Sequence, residues 1–279
     1  MNNTIYPCFW FDGNAREAAS FYCSLFKDSE ITTDTGLVVN FNLLGKRLMG
    51  LNGGPTFTIN PSLSLFVLCQ STDETNEVWN KLIEGGKALI PIGVYPWSQR
   101  YGWVQDRFGL TWQVAVVYKE GDPRKITPSM LFTKDKFGKA EEALHFYTGI
   151  FSNSSVSMLA HYPEGDANAG KVMYAECVLN GFDLIAMDGP GVHDYTFNEG
   201  ASIVVECETQ EEIDYHWDRL TAGGGQESQC GWLKDRFGVS WQVVPAMLGR
   251  LMSDPERSPR VMQAFMKMKK FNIEALVNA

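Results

Sequence analysis

Asp106-Arg107-Phe108-Gly109-Leu110-Thr111-Trp112-Gln113-Val114 returns later in the chain as Asp235-Arg236-Phe237-Gly238-Val239-Ser240-Trp241-Gln242-Val243. A repeat this close implies two copies of one structural unit in a single polypeptide. Each copy then acts as a control for the other. A residue type present in both answers to the fold; one present in a single copy is where function can show.

Working outward, Phe21-Tyr22 matches Phe146-Tyr147, Gly45 matches Gly181, and Ser64, Cys69, Trp79 and Gly85-Gly86 match Ser202, Cys207, Trp217 and Gly223-Gly224. The spacing shifts in two main places. Copy two is longer after Val156, around His161–Asp166, and copy one is longer after Gly86, around Pro91–Trp97. Both read as loops, which tolerate insertion because they bury little. The polar, turn-forming Gly121-Asp122-Pro123-Arg124 marks the boundary. The expected layout is a first domain over 1–121, a second over 125–246, and a helical extension over 247–279.

Composition narrows the class. A chain of 279 residues suits two domains, and 44% hydrophobic residues suit a globular core. No apolar run approaches the ~20 residues that span a bilayer. Met1-Asn2-Asn3-Thr4 lacks the basic and apolar regions of a signal peptide. A net charge of -9 disfavours nucleic acid and anionic membranes. Six cysteines without a CxxC pair read as reduced thiols in a cytoplasmic protein.

Each copy reads strand, helix, strands, helix, strands. Ile5 to Phe11 and Leu63 to Cys69 are strands, and Val38 to Leu51 is two strands joined at Gly45-Lys46. Ala18, Phe21, Tyr22 and Leu25 follow helical spacing, as do Ala143, Phe146, Tyr147 and Ile150. Ser71-x-x-Glu74 and Thr209-x-x-Glu212 are matched capping boxes, and Gly85-Gly86 and Gly223-Gly224 end the helices they begin. Arg260 to Ala279 reads as one further helix with Val261, Phe265 and Met268 on one face. The fold class is therefore α+β: a tandem duplication in which four βαβββ modules curl their sheets into half-open cups suited to a small ligand.

The residues that could carry chemistry are few. The Asp-Arg-Phe-Gly segments suit a hairpin turn, with Asp holding its own backbone and Gly supplying positive φ; a binding role is the alternative. Gln113 and Gln242 alternate with Trp and Val in apolar strands, so each amide either bonds a neighbouring strand or lines a cup. Ser64 and Ser202 begin matched strands, and Trp103 and Trp232 either pack in the core or stack on a planar ligand. Asp188 is an acid where copy one has Asn52, which makes it a general acid or base or simply a turn residue before Gly189-Pro190. His145, His161, His193 and His216 have no counterparts in the other copy and no zinc spacing. No GxGxxG follows a strand and no GxxxxGK[ST] occurs, so no nucleotide cofactor is implied.

The Ala-x-x-Ala-x-x-Phe-Tyr helix, the Leu51-Asn52-Gly53-Gly54-Pro55 and Met187-Asp188-Gly189-Pro190 segments, and both Trp-Gln-Val strands resemble the vicinal oxygen chelate superfamily. That superfamily includes glyoxalase I, bleomycin-resistance proteins and extradiol dioxygenases. Within it the chain is most similar to the PhnB-like family labelled 3-demethylubiquinone-9 3-methyltransferase. Lys171-Val172-Met173, Phe197-Asn198-Glu199, Gly231-Trp232-Leu233-Lys234-Asp235 and the closing Met266-Lys267-Met268-Lys269-Lys270 carry that likeness.

The resemblance implies a cup in which metal-dependent relatives hold a divalent ion with His and Glu from four strands. Carried over, those slots fall near Cys8, near Met49 or Gly50, on Ser64 and on Gln113. In copy two they fall near Met130 or Leu131, near Ala186, on Ser202 and on Gln242. An amide and a hydroxyl do not replace carboxylate and imidazole, so no metal and no cofactor are expected. The reading is a metal-free binder of a small apolar or aromatic molecule in the cup of copy two, through Gln242, Trp232 and Ser202. Gln113, Trp103 and Ser64 are their counterparts. The alternative is an enzyme, either a lyase or isomerase of the superfamily or the labelled methyltransferase, with Asp188 as its acid or base. The second copy stands in for the partner of single-copy relatives, giving a pseudo-dimer within one chain; further homodimerisation is left open.

Overall fold

A computed structural model describes residues 3–117 and 125–279. The boundary stretch 121–124 lies outside the described residues.

Four modules follow one another. The first is β1 (Ile5–Phe11), α1 (Ala15–Leu25), β2 (Glu30–Asp34), β3 (Val38–Leu43) and β4 (Lys46–Asn52). The second is β5 (Leu63–Cys69), α2 (Thr72–Ile83), β6 (Lys87–Tyr95), β7 (Ser98–Gln105) and β8 (Thr111–Val116). The third is β9 (Lys125–Phe132), α3 (Ala140–Ile150), β10 (Ser155–His161), β11 (Val172–Leu179) and β12 (Phe182–Asp188). The fourth is β13 (Ala201–Cys207), α4 (Gln210–Thr221), β14 (Gln226–Glu227), β15 (Trp232–Lys234) and β16 (Ser240–Pro245). The tail forms α5 (Leu248–Ser253), α6 (Ser258–Phe265) and α7 (Ile273–Val277). The single helix expected over Arg260 to Ala279 is instead two, α6 and α7. Met268 and Lys269 leave the helical path and accept backbone hydrogen bonds from Cys230 and Gly231.

The modules make two eight-stranded sheets, and each sheet draws on both copies. The first has the order β14-β15-β16-β13-β1-β4-β3-β2, the second β10-β11-β12-β9-β5-β8-β7-β6. The outer modules of the chain thus share one cup and the inner modules the other. Antiparallel pairs seal the two seams: β1 with β13, Cys8 opposite Ser202, and β5 with β9, Ser64 opposite Ser129.

Strand alternation separates two faces. On β1, Ile5, Phe9 and Phe11 face the helices and join one continuous core, whereas Tyr6 and Cys8 belong to a separate apolar cluster on the cup side. Both capping boxes form, with Ser71 and Thr209 accepting from the amides of Glu74 and Glu212. Their glutamates reach back one residue further than the box requires, to the amides of Gln70 and Glu208.

The doubled Asp-Arg-Phe-Gly segment is a hairpin turn. Asp235 Oδ1 accepts from the Phe237 and Val239 amides, and Gly238 takes φ +85. Its Oδ2 accepts from Trp241 Nε1 at 2.9 Å and from the Tyr147 hydroxyl at 2.7 Å. Tyr147 sits on α3, in the other sheet's module. The two repeated motifs, Phe-Tyr and Asp-Arg-Phe-Gly, therefore tie the two modules of one copy back to back. Arg236 adds to the joint by pairing with Glu142 and lying over the Phe146 ring. Burial of Asp106 and Asp235 pushes each carboxyl up to about 6, against the hydrogen bonds that favour its charged form.

Candidate functional site

Register fixes which residues share each cup. In the first sheet Cys8 pairs with Met49 and with Ser202, and Val204 pairs with Gln242. In the second sheet Ser129 pairs with Ile185 and with Ser64, and Phe66 pairs with Gln113. The four slots are thus Cys8, Met49, Ser202 and Gln242 in one cup, and Ser129, Ile185, Ser64 and Gln113 in the other. Gln242, Ser202 and Trp232 are brought together as expected, but copy one supplies the other half of their cup. On β9 and β12 the cup face carries Ser129, Leu131 and Ile185, and the neighbouring Met130 and Ala186 face the other way. Met130 and Ala186 belong to the core on the helix side.

The second cup is closed by its own side chains. Gln113 donates to Ser64 Oγ at 3.0 Å and to Ser129 Oγ at 3.3 Å, and accepts from the Tyr101 hydroxyl at 2.7 Å. Both ends of the amide are engaged. Phe66 then meets Tyr101 on one side and Tyr174, reaching across from β11, on the other, each with ring centroids 6.3 Å apart. Trp103 lies 8% exposed in the same cluster, and its indole N–H is buried without a partner. The Tyr174 hydroxyl donates to Glu176 at 2.6 Å.

The first cup is arranged differently. Gln242 donates to Ser202 Oγ at 2.9 Å, and the Cys8 thiol lies within hydrogen-bonding reach of both. The position matching Tyr101 is Cys230, which takes φ +57 and turns its thiol toward Met266. No phenol therefore reaches Gln242. Burial drives the Cys8 thiol up to about 12, so it is neutral and not a nucleophile at ordinary pH.

At the mouth of this cup, Trp10 and Trp232 are both half-buried, with ring centroids 6.0 Å apart, and Phe57 meets Trp10 at 5.0 Å. Trp10 Nε1 donates to the Gly54 carbonyl, and a Cβ at Gly53 would stand 2.0 Å from the Trp10 ring. The Leu51–Pro55 segment thus holds an aromatic wall. At the far end Tyr6 donates to Glu206 at 2.8 Å, and Arg47 pairs with Glu206 and lies over the Tyr6 ring. Burial, then the Glu206 carboxylate, raises the Tyr6 phenol.

Asp188 lies on the helix side of β12, away from either cup. Its Oδ1 accepts from the Gly138 and Ala140 amides and its Oδ2 from the Val172 amide. Asn52 does the same work in copy one: its Oδ1 accepts from Ala15 and its Nδ2 donates to the Gly36 carbonyl. Gly36 matches Val172. Where copy one presents a carbonyl, copy two presents an N–H, and Asn gives way to Asp. The acid is explained by the fold.

The slots of the two cups do not suit a hard divalent metal. The cups offer thiol, thioether, hydroxyl, amide and alkyl groups at the four slots, and among the described residues no three His, Cys, Asp or Glu converge. The histidines lie elsewhere: His161 against Glu141, His193 on the Pro190 carbonyl, and His216 buried beside Asn3. All four helices that follow a seam strand have an N-terminal amide already held by a side chain: Asn52, Ser71, Asp188 and Thr209.

The family model described as 3-demethylubiquinone-9 3-methyltransferase matches residues 3–115 and again 124–244. The chain belongs to this family. Among solved structures it is similar to a PhnB protein from Bacillus cereus, described as a putative 3-demethylubiquinone-9 3-methyltransferase, at 34% identity. That match covers 39% of this chain and 96% of that one, with a TM-score of 0.38. Glyoxalase I from Zea mays, at 10% identity and a TM-score of 0.55, covers 86% of this chain and 92% of its own, and shares the fold. No curated protein matches. The family match falls twice along the chain, once in each repeat.

Proposed function

We propose that this PhnB-like protein binds, without a metal, one small planar and largely apolar molecule in the cup of the first sheet. The ring would lie along Trp10 and Trp232, and the Gln242 amide and Ser202 hydroxyl would meet its polar group. The single observation that carries the reading is the difference between the two glutamines. The Tyr101 hydroxyl donates to the Gln113 amide oxygen, whereas among the described residues no hydrogen bond reaches the Gln242 amide oxygen. A ligand hydroxyl can donate to the Gln242 oxygen without displacing a phenol.

The sheet topology supports a self-sufficient chain, since each cup is completed by the other copy and needs no second polypeptide. Six free cysteines, four of them buried, agree with a reducing, cytoplasmic setting.

The test is calorimetric titration with 1-naphthol, a planar ring bearing one hydroxyl. One saturable site per chain, weakened at least tenfold in Gln242→Leu, is expected. Absence of saturable binding sinks the reading. Methyl transfer is checked in parallel by a melting-point scan with S-adenosylmethionine, for which no shift is expected.

A further inference from the structure

We propose that the cavity between the two sheets is a separate ligand site, for a small carboxylate bearing a short apolar chain. The cavity holds about 370 Å³, within the range of small-molecule sites. It lies on the faces of β1 and β9 turned away from the cups. Its floor is doubled like the sequence: Ile5 and Pro7 from one copy stand with Ile126 and Pro128 from the other. Proline in a strand with neighbours on both sides removes an N–H from the ladder. Here both prolines instead give the cavity a floor without donors.

The polar rim breaks that symmetry. Lys46 matches Phe182, and Arg47 matches Asp183. Lys46 Nζ stands 3.0 Å from Asp183 Oδ2, and Lys125 Nζ stands 3.8 Å from the same oxygen. Arg47 is occupied by Glu206 in the first cup. Lys46 and Asp183 line the cavity, and Lys125, outside the lining but beside the same carboxylate, leaves one positive charge in excess next to the apolar floor. That pairing of charge and surface recognises an anionic head with a short alkyl tail. It selects against an amine, which would meet Lys46 and Lys125 as like charges. Because the cavity and the cups lie on opposite faces, occupancy of one leaves the other free.

The test is calorimetric titration of the full chain with octanoate, and with octylammonium and 1-octanol as charge controls. One octanoate site per chain is expected, at least tenfold tighter than for octylammonium and weakened at least fivefold in Lys46→Gln. Lys46 is exposed enough that this variant folds. Saturating 1-naphthol is expected to leave octanoate binding unchanged, as is Gln242→Leu. No saturable octanoate binding, equal binding of octylammonium, an unchanged Lys46→Gln variant, or displacement by 1-naphthol would each overturn the proposal. The last outcome would move the carboxylate into the cup while leaving the cup's own reading intact.

Discussion

The two cups are built to one plan and finished differently. Both have a serine and a glutamine on matched strands and a tryptophan on the strand beside the glutamine. In the second cup Tyr101 caps the glutamine and a chain of aromatic rings fills the hollow. In the first cup the residue at the Tyr101 position is Cys230, turned outward beneath the C-terminal extension. The backbone explains the exchange. Gly102 packs against Trp79 and then Ile92 of the longer β6–β7 hairpin, whereas its match Gly231 packs against Phe271 of the extension. Each copy covers the same edge with a different piece of chain, and only the hairpin brings a phenol to the cup. A change in what covers an edge thus decides whether a buried amide is satisfied internally.

That comparison can be broken in several ways. Gln113→Leu removes three side-chain hydrogen bonds from a buried site, so a loss of about 3 kcal/mol is expected. Gln242→Leu strands only Ser202 and a thiol and should cost about 1 kcal/mol. Urea unfolding of the two variants side by side measures the gap, and equal losses would erase the distinction between the cups.

The copies also differ at His216, whose match is Val78. Burial holds the His216 ring neutral, down at about 4, against about 6.5 when unfolded. Its stability is therefore complete above pH 6.5 and is lost as pH falls toward 4. Asp106 and Asp235 work in the opposite sense. Raised to about 6 in the fold, they add stability as pH falls from 6 toward 4. His216→Val should remove the first trend alone, and its stability relative to the parent should rise by about 2 kcal/mol between pH 7 and pH 4.5. Parallel pH profiles would show that His216 titrates normally.

A smaller effect is expected at the mouth. Gly53→Ala pushes Trp10 aside and should weaken 1-naphthol about tenfold, near 1.4 kcal/mol, while the fold persists. An unchanged affinity would take Trp10 out of the site. Smallest is Tyr101→Phe, which frees one end of the Gln113 amide and should cost about 1 kcal/mol by thermal melting. A larger loss would mean that the phenol also carries packing in the second cup.

How much could be read beforehand follows from where the information lies. Ile5–Phe11 and Leu63–Cys69 were legible as strands because local composition and flanking turns define them. Which modules share a sheet was not: β1 meets β13 from the far end of the chain, and alternation looks the same whichever strand lies alongside. On β9 the sequence left Met130 and Leu131 as alternatives, and only Leu131 faces the cup; on β12 the cup residue is Ile185 beside Ala186, because a shift of one moves a side chain to the opposite face. Tyr101 carried no signal, since its partner in the repeat is a cysteine. Tyr6, Arg47 and Glu206 were also missed, being scattered over three strands and two copies. Asp188 drew notice for the right reason, its mismatch with Asn52. The cause is a peptide that presents N–H at Val172 and C=O at Gly36.

The two cups differ in their glutamines: Tyr101 donates to the Gln113 oxygen, and no phenol donates to that of Gln242, which is where a ligand would bind. The most direct measurement is the stoichiometry of 1-naphthol binding to the purified, chelator-dialysed chain, read by calorimetry in the parent and in Gln242→Leu. One site per chain, lost or weakened at least tenfold in the variant, is the expected result. Two equivalent sites per chain, or one site indifferent to Gln242→Leu, would contradict it.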